Sequence, residues 1–222
     1  MSNRSGERRA PLSRELIARV ALALADREGF ERLSMRRLAR ELGIGTMTLY
    51  GYFRDKEDLV DAAVDAASRE QPVALSGGTW REQLDSLMRG VRSVLGAHPS
   101  GLRARLRQPL LSREALRVTE AAMQILLGAG FSRDEAARAY RVLFVYTFGF
   151  AAFSSPDDPE ETRRQTRAAY AALPSNEYPE LSRSIDEAAE AMAGDAQFEY
   201  GLERILDGLE VALAAAKEGP RT

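Results

Sequence analysis

The chain has 222 residues, 45% hydrophobic and 29% charged, a globular balance with enough length to bury a core in one large or two small domains. The lack of cysteine excludes structural disulfides and thiolate-ligated zinc, and a single histidine leaves no histidine cluster for a metal. The formal net charge of −2 divides unevenly: residues 1–56 carry 12 Lys+Arg against 7 Asp+Glu, net +5, and the remainder 19 against 26, net −7, so positive potential is concentrated on a basic head and an acidic body follows.

Residues 1–11 are polar and rich in turn formers, and Arg4, Arg8 and Arg9 either reach a nucleic-acid backbone or belong to a solvated tail. Ser13 is placed to cap a first helix in which Leu16, Ile17, Val20 and Leu24, with the later Phe30, recur at helical spacing; Gly29 stops it. Ser34 caps a second helix with Leu38, Ala39 and Leu42 on one stripe. Gly43 makes a tight turn, and Ile44, Leu49 and Tyr52 supply a third helix that packs across the second. The small Ala39, the turning Gly43 and the apolar Leu49 together spell a helix-turn-helix. Asp55 caps a further helix with Lys56 in its first turn, and Leu59, Val60, Ala63, Val64 and Ala67 carry that helix onward. Breaks around Pro72 and Gly77 follow.

Beyond Trp80 every sustained period is helical. Trp80, Leu84, Leu87, Met88, Val91, Val94 and Leu95 line one helix; Pro99, Gly101 and Pro109 interrupt; Glu114–Leu127 forms the next. Ser132 and Glu135 read as a capping box that opens a long helix, apolar almost all round from Tyr140 to Phe153 and so in need of cover on every side. Residues 154–161 form a loop, charged and alanine-rich segments follow, and Asp195 caps a last helix with Phe198, Leu202, Ile205, Leu206, Leu209 and Leu213 on one stripe. Gly201 and Gly208 beside that stripe predict close backbone approach. The predicted fold class is therefore all-α: an N-terminal three-helix helix-turn-helix domain over 1–56, then a larger helical domain over 57–222 whose residues 57–69 form a connecting helix.

The stretch TLYGYFRDKEDL, with the helices on either side of it, resembles the TLYxHFxxKxxL signature of tetracycline-repressor-type (TetR/AcrR) regulators. Gly51 and Tyr52 depart from the pattern, which commonly has a larger residue and a histidine there. The resemblance implies a DNA-binding transcriptional regulator, most commonly a repressor released from DNA by a small ligand. The recognition helix is expected at Thr46–Tyr52, with Gly45, Thr46 and Met47 facing base edges and a methyl group suited to thymine. By resemblance Thr48, Tyr50 and Lys56 contact phosphate, Tyr52 belongs to the same surface, and Arg36 reaches a guanine or clamps a phosphate, a role Arg37 or Arg40 can share. For Tyr50 the alternative is packing against the connecting helix.

A single head offers too little contact for specific binding, so two must be held about 34 to 36 Å apart, one turn of DNA. The expected dimer surface uses the all-round apolar helix and the last helix, through Val145, Phe153, Phe198, Gly201, Leu202, Ile205, Gly208 and Leu209; a monomer core is the competing reading. The remaining apolar residues either pack solid or enclose a small, largely apolar effector, with Trp80, Leu84, Met88, Leu106, Met123, Phe144 and Phe148 as lining and His98 and Arg105 as polar contacts. No cofactor or metal is expected. An enzyme is not expected either, since no nucleophile with a base, phosphate loop or apolar carboxylate pair stands out. No apolar run approaches a membrane span and no signal region opens the chain, so a cytoplasmic protein with no membrane partner is expected. The expected partners are double-stranded operator DNA, a second copy and the effector; the alternative is a DNA-binding dimer whose body binds a protein or only dimerises.

Overall fold

Ser13 and Ser34 begin the first two helices as their positions predict: each hydroxyl accepts from the backbone N–H three residues on, Leu16 at 3.1 Å and Arg37 at 3.2 Å. The structure, a computed structural model, describes residues 11–29, 32–70, 77–97, 113–153 and 158–218. Among these, every regular element is an α-helix. The expected features at Phe30, Pro72, Leu106 and Pro109, the N-terminal tail to residue 10 and loop residues 154–157 lie outside the described residues.

The described residues divide into two units, 11–70 with 113–116 and 77–97 with 117–218. The first contains α1 (Arg14–Glu28), α2 (Met35–Leu42), α3 (Thr46–Tyr50), α4 (Lys56–Glu70) and the first turn of α6 (Arg113–Ala129). Its core joins Ile17, Ala21 and Leu24 of α1, Leu38 and Ala39 of α2, Leu49 of α3, the following Phe53, and Leu59 and Ala63 of α4. The helix expected to connect head and body thus contributes its apolar face to the head, supplying burial that three short helices lack. At the far end of α4, Asp65 accepts from the Glu114 N–H at 3.4 Å, and Arg69 lies between Glu15 at 3.6 Å and Glu114 at 3.5 Å.

The second unit is organised by α5 (Trp80–Ala97), α7 (Arg133–Phe153) and α11 (Ala196–Glu218), which pack on one another, with α6 completing the core. Two capping boxes start α5 and α7. Thr79 and Glu82 exchange bonds of 2.8 Å and 3.3 Å, and Ser132 and Glu135 exchange bonds of 3.0 Å and 3.3 Å. Only the second was read from sequence, although Thr79-x-x-Glu82 carries the same signal. Leu84, Leu87 and Met88 meet Leu126, Leu143, Phe198, Leu202 and Leu206 in the buried centre. Along the flank of α5, Arg81 pairs with Asp207 at 2.6 Å and Arg92 with Asp195 at 2.8 Å, while Arg89 pairs with Glu199 between them. These pairs run in opposite sequence directions and so lock the antiparallel register of α5 against α11. Asp195, expected to cap α11, directs its carboxylate to Arg92 instead.

Three short helices, α8 (Pro159–Ala171), α9 (Pro179–Arg183) and α10 (Ile185–Ala191), bury little beyond Ala189. Exposed ion pairs from Arg163 to Glu190 at 2.6 Å and from Arg167 to Asp186 at 2.7 Å link α8 with α10. Such pairs stabilise weakly, which agrees with the low apolar content of this segment.

Candidate nucleic-acid interface and effector-binding region

The angle between α2 and α3 is set by Gly43, which closes α2 at φ 68°, in the left-handed region where a side chain is disfavoured. The Ile44 N–H then bonds the Ala39 carbonyl at 3.0 Å, so the chain leaves α2 on a fixed path. Leu49, fully buried, holds α3 into the head core and leaves its neighbours outward. Met47 is 80% exposed and Tyr50 48%; Gly45 and Thr48 are exposed and Thr46 is half-buried. Of the residues expected to read DNA, these five therefore form a continuous accessible stretch. The regular helix ends at Tyr50, two residues short of the expected Tyr52.

The arginines of α2 divide sharply. Arg37 donates to Glu28 at 2.5 Å and 3.2 Å and to Glu41 at 2.8 Å, and Arg27 also reaches Glu41 at 2.7 Å. The hydrogen bond to Glu28, then that to Glu41, pushes the Arg37 guanidinium above its ordinary pKa. Arg37 thus ties α1 to α2. Arg36 and Arg40 are exposed, and no hydrogen bond or ion pair holds either among the described residues.

Tyr52 departs from its expected place on the DNA surface. It is half-buried against the head core, and its hydroxyl donates to the Leu12 carbonyl at 3.2 Å. Its own carbonyl accepts from Arg14. Arg14 continues to Asp58 at 2.5 Å and lies 4.3 Å from the centre of the Phe53 ring. Hydrogen bonding from Arg14, reinforced by the Arg54 N–H at 3.0 Å, holds the Asp58 carboxyl below its usual pKa against the opposing effect of burial. Arg14 and Asp58 were not singled out from sequence, because a pair 44 residues apart leaves no local pattern. Asp55 does cap α4, accepting from the Asp58 N–H at 2.8 Å, and Lys56 is exposed in the first turn of α4.

In the second unit the expected effector lining separates into two groups. Leu84 and Met88 are 0% and 1% exposed within the packed core, and Trp80 stands edge-on to Phe131 at 5.6 Å. Phe144 and Phe148 are half-buried and stack at 5.5 Å, and Tyr140 adjoins Phe144 at 6.0 Å. Met123 is half-buried on α6. The Tyr140 hydroxyl shares a hydrogen bond of 2.8 Å with Thr119, and burial raises its pKa. His98, Arg105 and Leu106 lie outside the described residues.

Two residues expected at a dimer surface belong to the protomer core: Phe198 is 1% exposed and Leu202 0%. Tyr146 stacks on Phe198 at 5.6 Å, and its hydroxyl donates to the Gln197 and Phe198 carbonyls at 2.9 Å and 3.0 Å. The close approach expected at Gly201 is made by this tyrosine of the same chain, not by a second copy. A side chain on α11 that completes its own core is indistinguishable by periodicity from one that meets a partner. Ile205 and Leu209 are half-buried, Gly208 is open, and Val145 and Phe153 are 48% and 92% exposed. Helix α7, expected to be covered on all sides, therefore keeps one apolar side bare in the single chain, with Val142 51% exposed beside Val145.

The chain matches two family descriptions: "Bacterial regulatory proteins, tetR family" over residues 17–63 and "Tetracyclin repressor-like, C-terminal domain" over residues 71–213. The transcriptional repressor DrrR1 of Streptomyces coeruleorubidus is 33% identical, the match covering 91% of this chain and 79% of that protein. The class A tetracycline repressor from transposon 1721 of Escherichia coli is 31% identical over 92% of this chain and 94% of its own. Among solved structures, ActR of Streptomyces coelicolor in complex with actinorhodin superposes with a TM-score of 0.77 at 29% identity, covering 92% of this chain and 99% of that one. The match to its complex with (S)-DNPA has a TM-score of 0.79, at the same identity, over 92% of this chain and 100% of that one. An accessible recognition helix on a helix-turn-helix head, followed by an all-helical body and matched over about nine-tenths of the chain in these relatives, places the chain in the tetracycline-repressor (TetR) family of DNA-binding transcriptional regulators.

Proposed function

We propose that the protein is a homodimeric repressor that binds an inverted-repeat operator and is released by a small, largely apolar effector. The observation that carries the DNA-reading part is the pairing of the exposed Gly45, Met47, Thr48 and Tyr50 with an exposed Arg36 that has no internal partner among the described residues. Met47 supplies an apolar contact for a thymine methyl, Arg36 a fork for guanine, and Thr48, Tyr50 and Lys56 donors for phosphate.

The dimer is supported by the bare side of α7 and its counterpart on α11. Val142, Val145 and Phe153 on the first and Tyr200, Gly208 and Val211 on the second recur at helical spacing, and Tyr200 and Val211 are 59% and 70% exposed. Two such faces related by a twofold axis bury one another. The effector is supported by the half-buried Tyr140–Phe144–Phe148 ladder and by the small molecules named with ActR. Binding there shifts the population of head arrangements and lowers operator affinity by the coupling free energy between the two sites.

The test is fluorescence anisotropy on a duplex selected by the protein from a random pool, titrated with flat apolar compounds. Release by a compound that calorimetry shows bound to the protein supports the reading. Binding without release, or no binding by any compound, favours the alternative in which the body serves a protein partner or dimerisation alone.

A further inference from the structure

Arg54 stands in the short turn between α3 and α4, and its side chain is 86% exposed. The turn fixes its backbone from both directions. Before it, Phe53 is 1% exposed in the head core and its N–H bonds the Leu49 carbonyl at 2.9 Å. After it, Asp55 caps α4. The Arg54 N–H donates to Asp58 at 3.0 Å, so the main chain, not the side chain, ties this residue to α4.

The guanidinium is not committed in the same way. Its Nε lies 3.8 Å from Asp58, beyond hydrogen-bond distance, and that carboxylate is already held by Arg14 at 2.5 Å. An exposed pair at such a separation contributes little to stability. Arg14, Arg27 and Arg37 of the same head, by contrast, each donate to a carboxylate within hydrogen-bond distance. The two aspartates nearest Arg54 are therefore engaged, one as a cap and one with Arg14, and the charge of Arg54 faces solvent.

Its place in the chain sets what it meets. Arg54 follows Tyr50 by four residues and precedes Lys56 by two, so its Cα is within about 7 Å of that of Lys56. Gly51, exposed in the same stretch, offers no side chain of its own. On the reading that Tyr50 and Lys56 hold operator phosphates, we propose that Arg54 clamps a backbone phosphate beside the one held by Lys56. It adds affinity without adding sequence preference. Consecutive phosphates of one strand rise by about 3.4 Å along the duplex, so neighbouring cations can engage neighbouring groups. The planar guanidinium fork suits two oxygens of one phosphate.

The experiment is fluorescence anisotropy of the full chain on its selected operator and on single-base variants of it, between about 50 and 200 mM salt. Wild type is compared with Arg54→Gln and with Arg133→Gln, which removes the same charge from an exposed position at the start of α7. Arg54→Gln keeps the N–H bonded to Asp58, and its melting temperature is expected to match the wild type. Two heads lose one contact each, so the slope of log affinity against log salt is expected to fall by about 2, and the wild-type advantage to shrink about tenfold across that range. Base preference and the slope of Arg133→Gln are expected to stay at the wild-type values. An unchanged slope in Arg54→Gln, an equal change in Arg133→Gln, or an altered base preference in Arg54→Gln overturns the proposal while leaving the operator reading intact. Failure of the wild type to bind any duplex overturns both.

Discussion

Tyr146 packs its phenol directly over Gly201, so that a β-carbon at that position would overlap the ring and its hydroxyl. The hydroxyl is fixed there by the Gln197 and Phe198 carbonyls. Replacing glycine with alanine in a helix gains about 1 kcal/mol in propensity, but overpacking costs about 1 to 3 kcal/mol and displaces a tyrosine with two hydrogen bonds. Gly201→Ala is therefore expected to destabilise the protein by about 1 to 2 kcal/mol in urea unfolding. A gain in stability would show that Tyr146 does not occupy this place.

The bare side of α7 leads to a different expectation. Phe153→Glu or Val145→Glu adds a charge at a position exposed in the single chain, so the protomer should fold while the dimer fails. Sedimentation velocity is expected to shift from dimer to monomer with the helical circular dichroism retained. Phe198→Ala, by contrast, removes a core ring and should cost about 3 to 5 kcal/mol of stability.

The link between Arg14 and Asp58 makes the head sensitive to acid. The folded Asp58 carboxyl has a lowered pKa, so its contribution is complete above the ordinary carboxylate value of about 4 and is lost as pH falls through the folded value. Melting curves for the wild type and Asp58→Asn should differ at pH 7 in favour of the wild type and converge below about pH 4. A gap that widens on acidification contradicts the pairing.

Adjacent arginines on α2 should fail differently. Arg36→Ala is expected to cost about 1 to 3 kcal/mol of operator binding and to relax base preference at one position of each half-site. Arg37→Ala removes the ties to Glu28 and Glu41, so it should lower the melting temperature and leave the base preference intact. Anisotropy titrations across operator variants, paired with melting curves, separate the two.

These contrasts also mark what the sequence discloses. Ser34, Gly43 and Leu49 encode the helix-turn-helix locally, through a cap, a turn and a buried contact within 16 residues, and the structure uses all three in those roles. Spacing marks Arg37 four residues before Glu41 where Arg36 has Arg40, but its other partner, Glu28, belongs to another helix and leaves no local sign. Tyr52 reads both as a packing residue of the turn and as part of the DNA surface, and its hydroxyl bonds the Leu12 carbonyl, a partner that comes beside it only after folding. Phe198 and Leu202 share an apolar stripe with Ile205 and Leu209, and periodicity specifies a covered stripe without specifying which chain covers it. Thr147 sits unmarked within an apolar run, and its full burial emerges only once its neighbours are placed.

The most direct test of the central claim, that the head reads DNA sequence as a pair, is selection of random duplex DNA by the purified wild type beside Arg36→Ala. The expected result for the wild type is an inverted repeat with half-sites about one helical turn apart, with the Arg36→Ala variant losing preference at one base pair in each half. Failure of the wild type to enrich any sequence at low salt, where attraction to phosphate is greatest, would contradict the account.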